Sequence, residues 1–192
     1  TEAHSSEIFQ KSVGDGAIFE LIRILDQGRK QVINDPSLSF NPGIILGGTD
    51  INYDKNKAQG WASGKDNVVA KIARAQGDLR FLTPEQQLNV KQQLEHIVSQ
   101  HLSGTTASIH FTDGIPSMPP TENNLKLLET YSQVSQDLGF GHIKALDPIV
   151  RGAGDISHVA AMVAANLSGL GAAGTGAHSV NETLDIASLP IQ

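Results

Sequence analysis

The residue types that could do chemistry are few in this chain, and a histidine on a Gly-rich loop comes first. His178 closes a Gly-rich stretch that begins at Gly169, and Glu182 follows four residues later. Loops held by a scaffold are where ligating side chains concentrate. His178 is therefore a candidate metal ligand, and Glu182 a carboxylate able to orient the loop or the imidazole. On the plain reading both are solvated surface residues. Asn67 and Arg80 stand thirteen residues apart on what reads as an antiparallel pair. An Arg with a specific task grips a carboxylate bidentately; without one it is a solvated side chain. The loop Arg151-Gly152-Ala153-Gly154-Asp155 precedes an apolar run. Asp155 suits a helix N-cap there, and free N–H groups at such a turn bind carboxylates. His4, where a first short strand ends, signals almost nothing by itself.

Other patterns fail on context. Gly169 to Gly174 matches G-x-G-x-x-G. A dinucleotide site also needs a helix after the third Gly and an acidic residue about 20 positions on, which the remaining chain does not supply. His96 and His101 are five apart, not the i, i+4 pair of a zinc helix. No H-x-D, Glu-Glu pair or G-x-S-x-G occurs, and there is no Cys. Any metal site must use His, Asp and Glu.

Composition narrows the class. The chain has 192 residues, with Lys+Arg 14 and Asp+Glu 20, a net charge of −6. Nucleic-acid binders show a basic excess, so that class is disfavoured. Hydrophobic residues at 39% exclude a disordered chain. No run approaches the ~18 apolar residues of a membrane span. Absence of Cys does not fix the compartment; a cytoplasmic place is favoured over a secreted or periplasmic one.

The elements that must position these residues follow from periodicity. Helices are predicted over 16–33, 84–102 and 122–138. The first would be capped by Asp15, with Ile18, Leu21, Ile22 and Leu25 on its apolar face. The second has Thr83 as N-cap and Gln86 at the capping-box position, with Leu94, Ile97, Val98 and His101 on one stripe. The third has Thr121 as cap and Leu127, Leu128, Tyr131, Val134 and Leu138 inward. Strands are predicted over 43–52, 66–73, 75–81 and 105–112, with a short one at 2–4. The pair 66–73 and 75–81 reads as one strand with a bulge near Gly77. Residues 1–112 thus give strand, helix, strand, strand, helix, strand. That is the split βαβ, ferredoxin-like unit: a four-stranded antiparallel sheet backed by two helices, with one face left for solvent or a partner. Pro-rich residues 113–121 read as a linker. Residues 113–192 carry a weak strand at 143–146, a helix near 156–165 and a helix entry at 185–189, too little for an independent core. The fold class is α+β, with 113–192 an incomplete α/β segment.

These motifs, in this order, resemble the di-zinc metallopeptidases of the glutamate carboxypeptidase and aminoacylase type. Ala3-His4-Ser5 followed by Asp15-Gly16-Ala17 is similar to the entry of that family's dimerisation, or lid, domain. Asp66-Asn67-Val68-Val69 resembles its N-V-[VI]-P stretch, with Ala70 in place of Pro. Gly77-Asp78-Leu79-Arg80 before Thr83-Pro84-Glu85 resembles its D-[VIL]-R strand end. Gly152-Ala153-Gly154-Asp155 resembles its G-G-x-D loop, and 169–189 its C-terminal signature. The resemblance implies a homodimer joined through the lid and hydrolysis of an amide in a small peptide or N-acyl amino acid with a free carboxylate. It implies two zinc ions holding a bridging water, with a Glu as base. His178 would be a zinc ligand. Arg80 would bind the substrate carboxylate with Asn67 in support. Gly154 would lie in the loop at the substrate end, and His4 would stabilise the oxyanion in the partner's site. The family's H-x-D, bridging Asp and Glu-Glu pair are absent from this chain. One His cannot hold two zinc ions, each needing about four ligands, so the isolated chain is expected to be inactive. It reads as the lid plus the second half of a catalytic domain. The alternatives are a non-catalytic dimerisation module and a metal-free small-ligand binder.

Overall fold

The computed structural model describes residues 3–148, 154–177 and 179–189. The chain divides into two compact units, Thr1–Thr112 and Asp113–Gln192.

In the first unit, helix α1 spans Ala17–Val32 and α2 spans Pro84–Ser99. Thr83 accepts from the Gln86 amide at 3.1 Å, and the Gln86 side chain returns to the Thr83 amide at 3.2 Å, closing the expected capping box. The same Gln86 also donates to Asp35 at 3.1 Å, tying the start of α2 to the exit of α1. The core forms where the helices meet. It contains Ile24 and Val32 of α1 and Val90, Leu94, Ile97 and Val98 of α2. Each such burial contributes about 1.5–3 kcal/mol. Gly28 makes this approach possible: a Cβ there would come within 3.1 Å of both Leu94 and the Phe40 ring.

The apolar face of α1 is not the expected one. Its buried stripe is Glu20, Ile24, Gly28 and Val32, while Ile18 and Ile22 are exposed. A carboxylate can occupy the stripe because it is fully partnered. Glu20 accepts from Arg23 at 2.6 Å and from the Leu102 amide at 3.0 Å, and His101 lies 3.6 Å away. Arg23 in turn donates to the Ile97 carbonyl at 3.0 Å and to the Gln100 carbonyl. Burial pushes the Glu20 carboxyl up, but the Arg23 and Leu102 bonds overcome it and hold the pKa at about 2. The N-cap of α1 is Gly16 rather than Asp15, with no side-chain bond.

Strand β1, Ser39–Gly48, pairs antiparallel with β4, Ile72–Arg80. The register slips between Pro42 and Ile44, so the irregularity sits in β1 at Gly43, opposite the Gly77 where the sequence places it. Gly77 is required there, since a Cβ would lie 2.0 Å from the Asn41 carbonyl oxygen. Between β1 and β4 the chain builds an arm that the sequence reading missed: β2, Asp50–Asp54, pairs with β3, Gln59–Ser63. Asp54 closes its turn by accepting from the Asn56 amide at 2.9 Å. Tyr53 packs its ring under Arg74, 4.6 Å from the guanidinium, while Trp61 on the arm is 52% exposed.

The mixed helix and sheet content fits α+β, but the expected four-stranded sheet is not what the hydrogen bonding gives. Regular pairing among the described residues is two-stranded throughout. Residues 105–111 are not a regular strand, although Ala107, Ile109 and Phe111 lie against the core as their alternation requires. Of the short first strand, Glu2 lies outside the described residues, and His4 makes a single antiparallel bridge to Val68.

In the second unit, α3 spans Glu122–Asp137, and Thr121 caps it by accepting from the Asn124 amide at 3.1 Å. Its inward face differs from the expected one. Asn124, Ser132 and Ser135 are buried, while Leu127, Val134 and Leu138 are exposed. The reason is that its partners here are polar. Asn124 accepts from the Asn166 amide at 2.9 Å, and Ser132 bonds the Ile143 amide at 3.0 Å and His142 Nδ1 at 2.7 Å. The helix expected near 156–165 is two short 3-10 turns, Asp155–His158 and Ala160–Met162. Residues 143–146 form no regular strand. A small ribbon pairs β5, Gly174–Thr175, with β6, Thr183–Leu184, and a last 3-10 turn spans Ile186–Ser188. No helix among the described residues is long and apolar enough to cross a membrane.

Candidate functional site

The first unit brings two of the candidate residues together. His4 precedes the 3-10 turn Ser5–Glu7 and caps it with its own ring, Nδ1 accepting from the Ser6 amide at 3.3 Å and meeting the Ser6 hydroxyl at 2.9 Å. A neutral imidazole with Nδ1 so engaged carries its proton on Nε2, which leaves a donor. The Ser5 amide donates to the Asn67 carbonyl at 2.9 Å, and the Val69 amide to the Ala3 carbonyl at 2.9 Å. These two bonds flank the His4–Val68 bridge and fix the His4 backbone beside the turn that carries Asn67. Both residues are exposed.

Arg80 is elsewhere. It ends β4, opposite Ser39 at the start of β1, whereas the Asn67 turn precedes β4 and the adjacent Lys71 amide meets Gly48 at the far end of β1. Eight residue steps separate Ile72 from Arg80, roughly 26 Å at the usual rise of a strand. Asn67 therefore does not support Arg80 within one lid.

The local environment of Arg80 follows from strand alternation. Leu79 turns inward onto the core, so Asp78 and Arg80 share the outer face. Arg80 Nε donates to Asp78 Oδ2 at 2.6 Å, with the two side chains 59% and 54% exposed. The hydrogen bond and charge of Asp78 raise the pKa of the guanidinium further above its ordinary value. Asp78 is thus the charged neighbour of Arg80, and its i, i+2 spacing on a strand is the signal the sequence offers for that pair.

In the second unit Gly154 precedes the turn Asp155–His158 with extended backbone, 2.9 Å separating the position of a Cβ from the Ser168 hydroxyl. Asp155 lies inside that turn and Gly154 holds the cap position, so Asp155 is not the N-cap. Arg151 to Ala153 lie outside the described residues, as does His178. The ribbon β5–β6 closes the loop to which position 178 belongs. Among the described residues no three His, Asp or Glu side chains come together to hold a metal ion. The zinc centre that the resemblance implies is thus not assembled by the described residues.

The first unit is α+β, with an exposed His4–Asn67 pair ahead of β4 and an exposed Arg80 at its end. A family model described as a peptidase dimerisation domain matches residues 1–106, and the chain belongs to this M20 peptidase family. Neither a curated protein nor a solved structure matches it.

Proposed function

We propose that this chain is the self-associating, carboxylate-binding part of a zinc-dependent metallopeptidase or amidohydrolase that cleaves an amide in a small peptide or N-acyl amino acid. The observation that carries the reading is the separation along β4. His4 and Asn67 stand together ahead of one end of β4 and Arg80 stands at the other, with Ile72 to Arg80 alone spanning roughly 26 Å. One small substrate cannot touch both ends of a single lid. In a homodimer, the Arg80 end of one copy can face the His4–Asn67 end of its partner, and a composite site results. Arg80 then grips the carboxylate, and His4 and Asn67 reach across to the scissile amide.

The remaining assignments follow the same reading. The functional lid is a four-stranded, ferredoxin-like sheet in which 105–111 is one strand. Residues 113–192 belong to a catalytic domain. In support, the described residues there bury only polar side chains, among them Asn124, Ser132 and Asn166, while Leu138, Phe140 and Leu146 are more than half exposed. His178 is the zinc ligand on the loop closed by β5–β6, and Gly154 lines the substrate end.

Mixing separates a shared site from a single-lid site. Arg80→Ala and Asn67→Ala each weaken binding of an N-acyl amino acid in calorimetry. When equal amounts of the two variants are mixed and allowed to exchange subunits, half the dimers are heterodimers with one intact composite site of two, so about a quarter of the binding capacity returns. A mixture as weak as either variant alone removes the proposal.

A further inference from the structure

The loop that leaves His4 holds an aromatic residue in a left-handed backbone. Phe9 has φ +71°, a region that a bulky side chain enters only at a cost in free energy. The loop keeps it there. The Phe9 amide donates to the Gly14 carbonyl at 2.9 Å, and the Asp15 amide to the Ser103 carbonyl at 2.9 Å. Gly14 fits so closely that a Cβ would lie 2.0 Å from that Ser103 oxygen. The strain returns nothing to the core. The Phe9 ring is 64% exposed and leans on Phe19, itself half exposed, with centroids 5.6 Å apart and planes tilted by 48°. Glycine or asparagine would make the same turn more easily. Strain of this kind, spent on holding a ring outward, is characteristic of a contact site. The place of the pair is fixed by backbone bonds. Phe19 lies in the first turn of α1, where the Ala17 amide donates to the Ala70 carbonyl at 3.0 Å, and the Phe9 loop departs from His4 through a turn whose Glu7 amide returns to the His4 carbonyl at 2.9 Å. The two phenyl rings and the exposed His4–Asn67 pair therefore stand at the same end of the unit.

We infer that Phe9 and Phe19 form an apolar shelf that takes the acyl group of the substrate, and that the shelf selects N-aroyl over N-acetyl amino acids. This rests on the reading above, in which His4 and Asn67 meet the scissile amide and Arg80 of the other copy holds the carboxylate. The carboxylate lies on the amine side of that amide. The group on the opposite side, at the His4 end, is the acyl group, and the exposed apolar surface there is the Phe9–Phe19 pair. An aryl group suits it because two tilted rings offer a third ring both a face and an edge.

Calorimetry on the full chain compares N-acetylglycine with N-benzoylglycine, which share the amide and the carboxylate and differ only in the acyl group. The benzoyl ligand binds roughly tenfold more tightly. Phe9→Asn, which suits the left-handed backbone, keeps the melting temperature and the affinity for N-acetylglycine but brings the ratio near one. Phe9→Tyr retains the preference. Equal affinities in the unmodified chain, or a preference that survives Phe9→Asn, overturn the inference. So does a fall in dimer mass in Phe9→Asn, which assigns the rings to a contact between copies. A further probe, N-benzoylglycinamide, has no carboxylate for Arg80 and reads the rings alone. It shifts the Phe9 and Phe19 ring resonances in NMR, and unmoved resonances remove the shelf. The mixing experiment reads instead which copy supplies Arg80, so the two failures are told apart.

Discussion

The amide of Ser5 donates to the carbonyl of Asn67 at 2.9 Å, so the residue after His4 is fastened to the backbone of the other polar residue at that end of the lid. The bond uses the Asn67 main chain and leaves its carboxamide free. Asn67→Ala therefore separates scaffold from ligand contact. Thermal stability should stay within about 0.5 kcal/mol, as for surface changes generally. Binding of an N-acyl amino acid should weaken by about 1.5–3 kcal/mol if the carboxamide bonds a charged group. Unchanged affinity in calorimetry would remove Asn67 from the site.

Arg80 is held by Asp78 in an exposed pair, and such pairs contribute about 0–1 kcal/mol. Releasing it costs the fold little and frees the guanidinium fork for a ligand. Asp78→Asn should leave the melting temperature unchanged and tighten carboxylate binding a few-fold. Weaker binding would mean that Asp78 orients Arg80 rather than competing for it.

Glu20 makes the stability of the lid acid-sensitive. Its pKa is about 2 in the folded chain against 4.5 in the unfolded one. A depressed carboxylate pKa stabilises above the unfolded value, and that contribution disappears as pH falls from about 4.5 through about 2. The shift corresponds to about 3 kcal/mol. Urea midpoints measured between pH 7 and pH 2 should fall through this window, and in Glu20→Gln the fall should be much smaller while the midpoint at pH 7 is already lowered. Parallel pH profiles for the two proteins would contradict this assignment.

Two leucines on α2 test the core. Leu94 is 1% exposed and Leu88 is 58% exposed. Leu94→Ala should cost about 2–5 kcal/mol through lost burial and a cavity. Leu88→Ala should fall within about 0.5 kcal/mol. Comparable losses in chemical denaturation would mean that the helix packs by another face.

What the sequence disclosed was what neighbouring residues decide. Thr83 and Gln86 announce the start of α2 because both halves of the capping box lie within one turn. Glu20 gave no such signal. Its burial depends on Arg23 and on the amide of Leu102, which is distant in sequence, and a carboxylate in an amphipathic helix otherwise reads as solvent-facing. The apolar stripe of α1 was misplaced for that reason. A strand prediction that stops at Asn52 leaves out the arm β2–β3, although the Asp54 turn ahead of Trp61 is legible. The order of His4 and Asn67 along the chain was visible, but their distance from Arg80 was not, because only pairing shows that a strand's length lies between them.

The arm carries the chain's one tryptophan on a strand whose residues are all open to solvent. Emission excited at the red edge of the aromatic band therefore comes from that hairpin alone, and its quenching by iodide or acrylamide monitors, without a label, whether anything settles over the arm.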